Sequence, residues 1–436
     1  MPRFKIFVGS ALLLVIIILL ATRLMEPDPD MPNDSKDVAL KIALPKNAFN
    51  KKDFLRYRLK QSELKSALSA YFKKAIVSGD IVGAGVSIVH GDSILISEGF
   101  GKRSVNSPEM VNDETLFRLG SLSKGFAGVL AAQIKHEGKL DWNDKVRDYL
   151  PDFRLGDEKN TEHITLANIL SHTSGTPYHS FTNLVEAGLP LSDIASRFRD
   201  IVPISEPGML YSYQNAMFAL CGEMMTRATG QKINTLLGDR LFKPLGMCTT
   251  TMDHESLVGA ANIAMPHVRA RNGWRATRLR NNYYNAIAAG GISSTALDMA
   301  RWMRFLLGNN PEIMDASAIG EAFNPFVKIG GYKYYKKWPG HVASYYGFGW
   351  RIHKYKDQDS QSIKTIWHHG GSVNNYRNEI GMYPEDDLGI CVLLNGHSRI
   401  AQRVIPDLNK IVRSVYSNNF NELVFNDGLD HKVSMQ

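Results

Sequence analysis

The segment RLGSLSKGFAGVLAAQIKHEGKL, residues 118–140, has a serine three positions before a lysine at the predicted start of a helix. Side chains at positions i and i+3 share one face of a helix, so Ser121 and Lys124 can meet there. A serine hydroxyl is a weak nucleophile and needs a base. A lysine can be that base only if burial or nearby positive charge lowers its pKa from ~10.4. The pair therefore predicts nucleophilic attack by a hydroxyl on a carbonyl carbon.

The spacing of this pair is weak evidence by itself, because Ser62 and Lys65 repeat it in the charged run SELK. Ser121 differs in its surroundings. It follows the segment TLFRLG and has Gly120 and Gly125 close by. Backbone N–H groups at a helix start lack partners and can bind a developing oxyanion. We therefore favour the pair at Ser121 as chemically active, with a surface lysine as the alternative.

The segment PGMLYSYQN supplies a second element, Tyr213 with Asn215 two positions later. A phenol beside a lysine can share proton transfer, and an asparagine can hold the lysine or a substrate amide by hydrogen bonds. The same spacing recurs at Tyr283 and Tyr376. Tyr213 is preferred because a Pro-Gly turn precedes it and a strongly apolar helix follows. A core tyrosine is the alternative for each of the three.

The segment WHHGGSVNNY supplies a third element at the end of a predicted strand: His368, His369, Gly370 and Gly371. Two glycines allow a substrate backbone to come close to the edge of the sheet. A backbone N–H here could complete an oxyanion hole with that of Ser121. The alternative is a strand that simply turns through a Gly-Gly hairpin.

The elements that must position these residues follow a simple order. Strands are predicted near both ends of the chain and helices between them, which favours an α+β fold with one antiparallel sheet, flanking helices and an inserted helical region. The cleft between the two parts is the expected site. Within residues 53–436, the sheet part is predicted at about 53–135 and 285–418, and the helical part at about 136–284.

The first residues predict a membrane context. Arg3 and Lys5 precede an apolar run over residues 6–21. We interpret residues 1–25 as a membrane anchor helix or signal segment and residues 26–52 as a flexible linker. Positive residues before the span favour an inner-membrane anchor with the catalytic domain in the periplasm. The alternative is a secreted or periplasmic protein after signal cleavage.

Composition excludes several other functions. The chain has 436 residues, 44% of them hydrophobic, and a formal net charge of +8. Its Lys and Arg residues are scattered, so no nucleic-acid partner is predicted. Adjacent residues point to opposite faces of a strand, so His368 and His369 are poorly placed to share one metal ion. No metal and no cofactor are predicted.

Several segments together resemble the class C β-lactamases, penicillin-binding proteins and related serine esterases. The resemblance covers roughly residues 60–415. It rests on FRLGSLSKGFAG, ITLANILSHTSG, PGMLYSYQN, AAGGISST, YGFGW and HHGGSVNNYRNEIGMYPEDDLGICVLLNG. The resemblance implies a β-lactamase/transpeptidase-like fold. It also implies a serine hydrolase that forms an acyl-enzyme with an ester or amide substrate, either a small molecule or a peptidoglycan-type peptide.

The resemblance also implies roles for individual residues. Ser121 would be the acylated nucleophile, Lys124 its proton partner, and Tyr213 the base and acid of acyl transfer and deacylation. Asn215 would lie with them. The alternatives are a D-alanyl-D-alanine carboxypeptidase or β-lactamase proper, and a penicillin-binding sensor module without turnover.

The family's third motif is implied at His368 and Gly370, with the N–H of Gly371 in the oxyanion hole. The motif usually has Lys or His, then Thr or Ser, then Gly, whereas here His369 stands at the hydroxyl position. A histidine of pKa ~6.5 is mostly neutral at pH 7 and attracts a substrate carboxylate less than an ammonium does. His368 stands where classical β-lactamases carry lysine, and this departure favours an esterase or an unusual peptidase over an antibiotic hydrolase.

Overall fold

The computed structural model describes residues 51–330 and 335–416, and the side chains from residue 57 onward. The predicted membrane anchor at residues 1–25 lies outside the described residues, as does most of the predicted linker. The first described helix begins at Lys51, within the last two residues of the predicted linker. None of the described helices is both long and apolar enough to cross a membrane.

An eight-stranded sheet is the centre of the described chain. The described strands are β1 Gly83–His90, β2 Ser93–Gly101, β3 Phe117–Arg118, β4 His267–Ala270, β5 Gly273–Ala276, β6 Ser293–Ser294, β7 Val327–Lys328, β8 His341–Tyr346, β9 Arg351–Lys356, β10 Ile363–Val373, β11 Tyr376–Tyr383 and β12 Leu388–Leu394. The large sheet has the order β2-β1-β12-β11-β10-β9-β8-β7, and all neighbours are antiparallel. This confirms the predicted α+β plan with a sheet built from both ends of the chain.

Helices surround this sheet. The described α-helices are α1 Lys51–Val77, α2 Ser123–His136, α3 Val146–Tyr149, α4 Glu158–His163, α5 Leu166–Leu170, α6 Thr182–Glu186, α7 Leu191–Arg197, α8 Asn215–Thr229, α9 Ile233–Leu237, α10 His254–Gly259, α11 Ile287–Gly290, α12 Ala296–Leu306, α13 Ala316–Glu321 and α14 Val404–Val415. Short 3₁₀ turns and one π-helical turn connect several of them.

The two faces of the sheet are buried by different helices. Residues of α1 and α14, such as Leu68 and Leu408, form one core cluster with residues of β1 and β12. Residues of α2, α8 and α12 form the second cluster, which includes Phe126, Leu220 and Trp302. All seven residues of β12 are buried, as expected for a strand that is covered on both faces.

The structure contains one element that was not predicted, and it excludes the alternative given for the third motif. The middle of the chain contains a short hairpin, β4–β5, that the mainly helical pattern did not indicate. The chain also does not turn at the two glycines of WHHGGSVNNY, because β10 continues through them to Val373. The hairpin turn lies at Asn374 and Asn375, whose φ angles of 45° and 68° suit a tight two-residue connection.

Candidate active site

A 3₁₀ turn at Gly120–Leu122 carries Ser121 and runs directly into α2. Gly120 has a φ of +57°, which an L-residue rarely adopts. A Cβ at Gly120 would lie 2.8 Å from backbone atoms of Ser372. The turn therefore packs directly against the end of β10, and glycine is required for that approach.

Hydrogen bonds from distant strands hold the chain on both sides of Ser121. The Asn378 amide on β11 donates to the carbonyl oxygens of Arg118 at 2.8 Å and Leu119 at 3.1 Å. After the turn, the Ser123 hydroxyl accepts from the backbone N–H of Ile292 at 3.2 Å. These bonds fix the backbone position of Ser121.

A second glycine turn, between β8 and β9, packs against the start of α2. Gly349 has a φ of +82°, and a Cβ there would overlap with the carbonyl oxygen of Lys124. A Cβ at Gly128 would likewise overlap with the carbonyl oxygen of Phe348. The segments SKGFAG and YGFGW are thus two halves of one close contact.

Lys124 is fully buried at the centre of the site. Its Nζ lies 3.2 Å from Ser121 Oγ, 2.8 Å from Asn215 Oδ1 and 2.7 Å from the carbonyl oxygen of Ala289. Burial, helped by the positive charge of Arg351, lowers the pKa of Lys124 well below its usual value. A neutral amine has two N–H donors and one lone pair. It can therefore donate to the two carbonyl-type oxygens and accept the Ser121 proton.

Tyr213 makes a second side-chain contact with Ser121. Its hydroxyl donates to Ser121 Oγ at 2.8 Å, and its ring centroid lies 4.9 Å from Lys124 Nζ. The ring packs against His172 at a centroid distance of 4.1 Å, and the Tyr213 carbonyl accepts from the N–H of His179 at 3.0 Å. Ser121 Oγ can therefore accept a hydrogen bond from the phenol while its own proton moves to the amine.

Asn215 begins α8 and links the site to one of the alternative tyrosines. Its amide donates to Tyr283 Oη at 3.1 Å, so Tyr283 supports Asn215 from behind and does not contact Ser121 directly. Tyr376 is buried and donates to the carbonyl oxygen of Ala264. Of the three Tyr-x-Asn pairs, the one preferred from sequence is the one whose tyrosine meets Ser121.

The strand β10 forms the third wall of the site. His369 Nε2 lies 2.8 Å from Tyr346 Oη, and the His369 ring lies 6.5 Å from the Tyr213 ring. A Cβ at Gly371 would overlap with the carbonyl oxygen of Leu119, just before the Ser121 turn. His369 and Gly371 share this face because side chains alternate along a strand.

The structure places His368 and Gly370 on the opposite face of β10, contrary to the sequence expectation. His368 Nε2 lies 2.7 Å from Glu379 Oε2, and His368 Nδ1 lies 3.3 Å from His353 Nε2. A Cβ at Gly370 would point to Glu379 at 3.0 Å. Sequence reasoning assigned the motif to the first of two adjacent histidines, but His369 is the one that faces Tyr213.

Behind this wall lies a buried polar chain that we call the rear network. It consists of His341, Ser344, His353, His368, Glu379 and Arg377, joined in that order by hydrogen bonds or ion pairs. Burial raises the pKa of Glu379 to about 7, against the opposing charge of Arg377. Burial also lowers the pKa of His368 well below its usual value. The rear network therefore fixes the back of β10 with histidines that stay neutral at pH 7.

Sequence reasoning missed Arg351, which follows directly on the quoted segment YGFGW. Only 5% of Arg351 is exposed. Its guanidinium carbon lies 5.9 Å from the ring centroid of Tyr213 and 5.8 Å from that of Tyr346. Burial, together with the charges of Arg351 and Lys124, lowers the pKa of His369. Arg351 could have been found only from the pairing of β9 with β10, because that pairing places it opposite His368. The sequence alone does not give this register.

The sequence model of the Beta-lactamase family matches residues 68–410, most of the chain. The chain belongs to this family. The matched range contains the Ser121 turn, the loop that carries Tyr213, and the strands β8, β9 and β10. The roles assigned to individual side chains remain predictions, because the match concerns the family as a whole.

Individual relatives are distant. The chain is 25% identical over 346 residues to "Unguisins hydrolase ungD'" of Aspergillus campestris, covering 75% of this chain and 60% of that protein. It is 24% identical over 340 residues to "Protein flp" of Staphylococcus aureus, covering 76% of this chain and 63% of that protein. The match therefore spans less than two thirds of the length of these relatives.

The fold has a close counterpart among solved structures. The "octameric penicillin-binding protein homologue from Pyrococcus abyssi" superposes with a TM-score of 0.67 at 23% identity. The match covers 79% of this chain and 77% of that one. This similarity supports the β-lactamase/transpeptidase-like fold.

Proposed function

We propose that the protein is a serine hydrolase that cleaves an ester or amide through an acyl-enzyme on Ser121. One observation carries this proposal. Ser121 Oγ lies between a buried amine, Lys124 Nζ at 3.2 Å, and a phenol, Tyr213 Oη at 2.8 Å. The family membership supports a hydrolytic reaction of this kind.

In the first half-reaction, Ser121 Oγ bonds to the substrate carbonyl carbon while its proton moves to Lys124 Nζ. The tetrahedral intermediate then expels the alcohol or amine. Tyr213 protonates the leaving group, and the proton on Lys124 then passes to the Tyr213 phenolate, whose ring lies beside the amine. General acid–base catalysis of this type contributes ~10²–10⁴-fold to the rate. The burial of the amine and the lowering of its pKa support the role of Lys124 as the initial acceptor.

In the second half-reaction, water attacks the acyl carbon and Ser121 Oγ leaves. Tyr213 and Lys124 accept the proton of that water and return one to Ser121. We assign the oxyanion hole to the backbone N–H groups of Ser121 and Gly371. This assignment is supported by the close approach of Gly371 to the turn that carries Ser121.

We infer that the substrates are small-molecule or peptidoglycan-type esters and amides. The relative from Aspergillus campestris is named for the hydrolysis of unguisins, and the structural counterpart is described as a penicillin-binding protein homologue. A D-alanyl-D-alanine carboxypeptidase or β-lactamase activity is the second possibility. A sensor module without turnover is less well supported, since such a module does not need an assembled Ser/Lys/Tyr set.

We also propose that residues 1–25 anchor the protein in the inner membrane with the catalytic domain in the periplasm. The apolar run over residues 6–21 after Arg3 and Lys5 supports this orientation. Carbonate extraction of membranes from cells that express the full chain tests the anchor. Release of the full-length chain into the soluble fraction would contradict it.

The central experiment is intact-mass analysis of the full chain after exposure to 4-nitrophenyl acetate, to a penicillin or to a D-Ala-D-Ala peptide. We expect an adduct on Ser121 that appears and then decays with at least one of them. A permanent adduct would favour the sensor module. A decaying adduct on another residue would remove the nucleophile assignment.

A further inference from the structure

The site wall on β10 provides little permanent positive charge. His368 lies on the rear face with Glu379, and the pKa of His369 is lowered by burial and by neighbouring cations. Neither histidine therefore supplies a fixed positive charge to the site wall. The neighbouring strand β9 supplies a charge that the motif does not.

Arg351 is the first residue of β9 and lies between the strands that build the wall. Its Cα is paired with Tyr346 on β8 and with His368 on β10. Its guanidinium carbon lies within 6 Å of the ring centroids of Tyr213, Tyr335 and Tyr346. Two of these rings belong to the site, since Tyr213 contacts Ser121 and Tyr346 contacts His369. The Tyr213 ring also lies 4.9 Å from Lys124 Nζ, so Arg351 and Lys124 both lie close to one ring.

We propose that Arg351 is a positioning residue whose fixed charge keeps the Lys124 amine in its neutral, proton-accepting form. The proposal rests on the function proposed above. A guanidinium stays protonated at any working pH. A second cation near it is disfavoured by Coulomb repulsion, which is strong in a buried site. The direction of the Lys124 pKa agrees, because Arg351 is the largest cause of its lowering after burial.

The same charge also acts after the first proton transfer. When Ser121 gives its proton to Lys124, a second cation forms near Arg351. The repulsion between the two cations favours passage of that proton to the leaving group through Tyr213. Arg351 therefore limits how long the lysine holds the proton, without touching the substrate.

Several other elements also place polar or titratable groups near Lys124. Within the described chain, α8 contributes Asn215 and Cys221, and α11 contributes the carbonyl oxygen of Ala289. The loop before α8 contributes Tyr213, the loop after α5 contributes His172, and β10 contributes His369. Burial raises the pKa of the Cys221 thiol and lowers that of the His172 ring, so both are neutral at pH 7. His179 also lies near Lys124, and burial lowers the pKa of its ring. Arg351 differs from all these groups because its charge does not titrate.

The test is the pH dependence of kcat/KM for a neutral ester, 4-nitrophenyl acetate, in the full-length chain. The variants are Arg351→Gln, which removes the charge, and Arg351→Lys, which keeps it. Arg269→Gln is the matched control, because Arg269 also lies over an aromatic ring, Trp274 at 4.3 Å, on the separate hairpin β4–β5.

We expect Arg351→Gln to move the acidic limb of the profile to higher pH by about one unit. Arg351→Lys and Arg269→Gln should leave the limb where it is. An unchanged limb with uniformly lower activity in Arg351→Gln would overturn the proposal. If Arg351→Gln does not fold, a shifted limb in Arg351→Lys would overturn it. Residual turnover by Ser121→Ala would instead contradict the proposed function, so the two failures are distinguishable.

Discussion

His368 and His369 are neighbours in sequence, yet their side chains contact opposite sides of the sheet. His369 meets Tyr346 beside the Ser121 turn, whereas His368 meets the buried carboxylate of Glu379. One short segment of β10 therefore builds both the wall of the site and the support behind it. Each histidine should respond to substitution in its own way.

The first prediction separates these two roles. His369→Asn should lower kcat/KM by about 10-fold or more, because it removes the contact to Tyr346 next to Tyr213. His368→Asn should instead lower the free energy of unfolding by about 1–3 kcal/mol, because it removes the buried hydrogen bonds of His368 to Glu379 and His353 and leaves Arg377 and Tyr335 as the partners of Glu379. Ester hydrolysis and urea unfolding measure the two effects. Equal loss of activity per folded molecule in both variants would contradict the assignment.

The second prediction concerns the nucleophile. Ser121→Ala should abolish turnover of 4-nitrophenyl acetate and change the free energy of unfolding by less than about 1 kcal/mol, since only one hydroxyl is removed. Ser62→Ala is the matched control, because Ser62 begins the same Ser-x-x-Lys spacing on α1. Activity of Ser121→Ala at the level of the control would remove Ser121 from the mechanism.

The third prediction concerns the base. Lys124→Ala should lower kcat by ~10²-fold or more, because positioned proton transfer contributes on that scale. Lys65→Ala is its control, since Lys65 lies at the surface and pairs with Glu98. A comparable loss in the two variants would show that the wrong Ser-x-x-Lys pair was chosen.

The fourth prediction concerns stability against pH. Four buried histidines have pKa values well below normal: His172, His353, His368 and His369. Because their pKa is lower in the folded state, the stability they confer is lost as pH falls below ~6.5. Glu379 has the opposite sign: its pKa rises from 4.5 to about 7. The stability that protonated Glu379 confers on the fold therefore increases as pH falls from about 7 to 4.5.

The four histidines outnumber Glu379, so the unfolded chain binds more protons than the folded one below pH 6.5, and the free energy of unfolding should decrease as pH falls. Urea unfolding at pH 5.5, 6.5 and 7.5 measures this slope. His368→Asn should reduce it by up to one proton. A free energy of unfolding that does not change between pH 5.5 and 6.5 would contradict the prediction.

How far the sequence could predict the site depends on the kind of contact. The Ser121–Lys124 contact is local and follows from the period of a helix, so it could be expected. Tyr213 was chosen over two similar tyrosines from its turn and the helix that follows. The face of His369 and the place of Arg351 depend on how β8, β9 and β10 pair. One sequence does not give that register, and a shift of one residue exchanges the faces of a strand.

The fold shows the same limit. The strand pair β1–β2 and helix α12 with its Thr295 cap have clear local patterns, and the structure contains both. The hairpin β4–β5 was missed because its strands are short and mostly exposed, so they have no apolar pattern to detect.

The close contact between Gly349 and the carbonyl oxygen of Lys124 has a consequence for engineering. Every side chain larger than hydrogen at that position would displace the start of α2 and with it the reacting hydroxyl. Laboratory evolution toward new substrates will therefore tolerate no replacement there. Useful variation must instead come from the loop segment around His179, where a change in shape alters what enters the site but leaves the nucleophile in place.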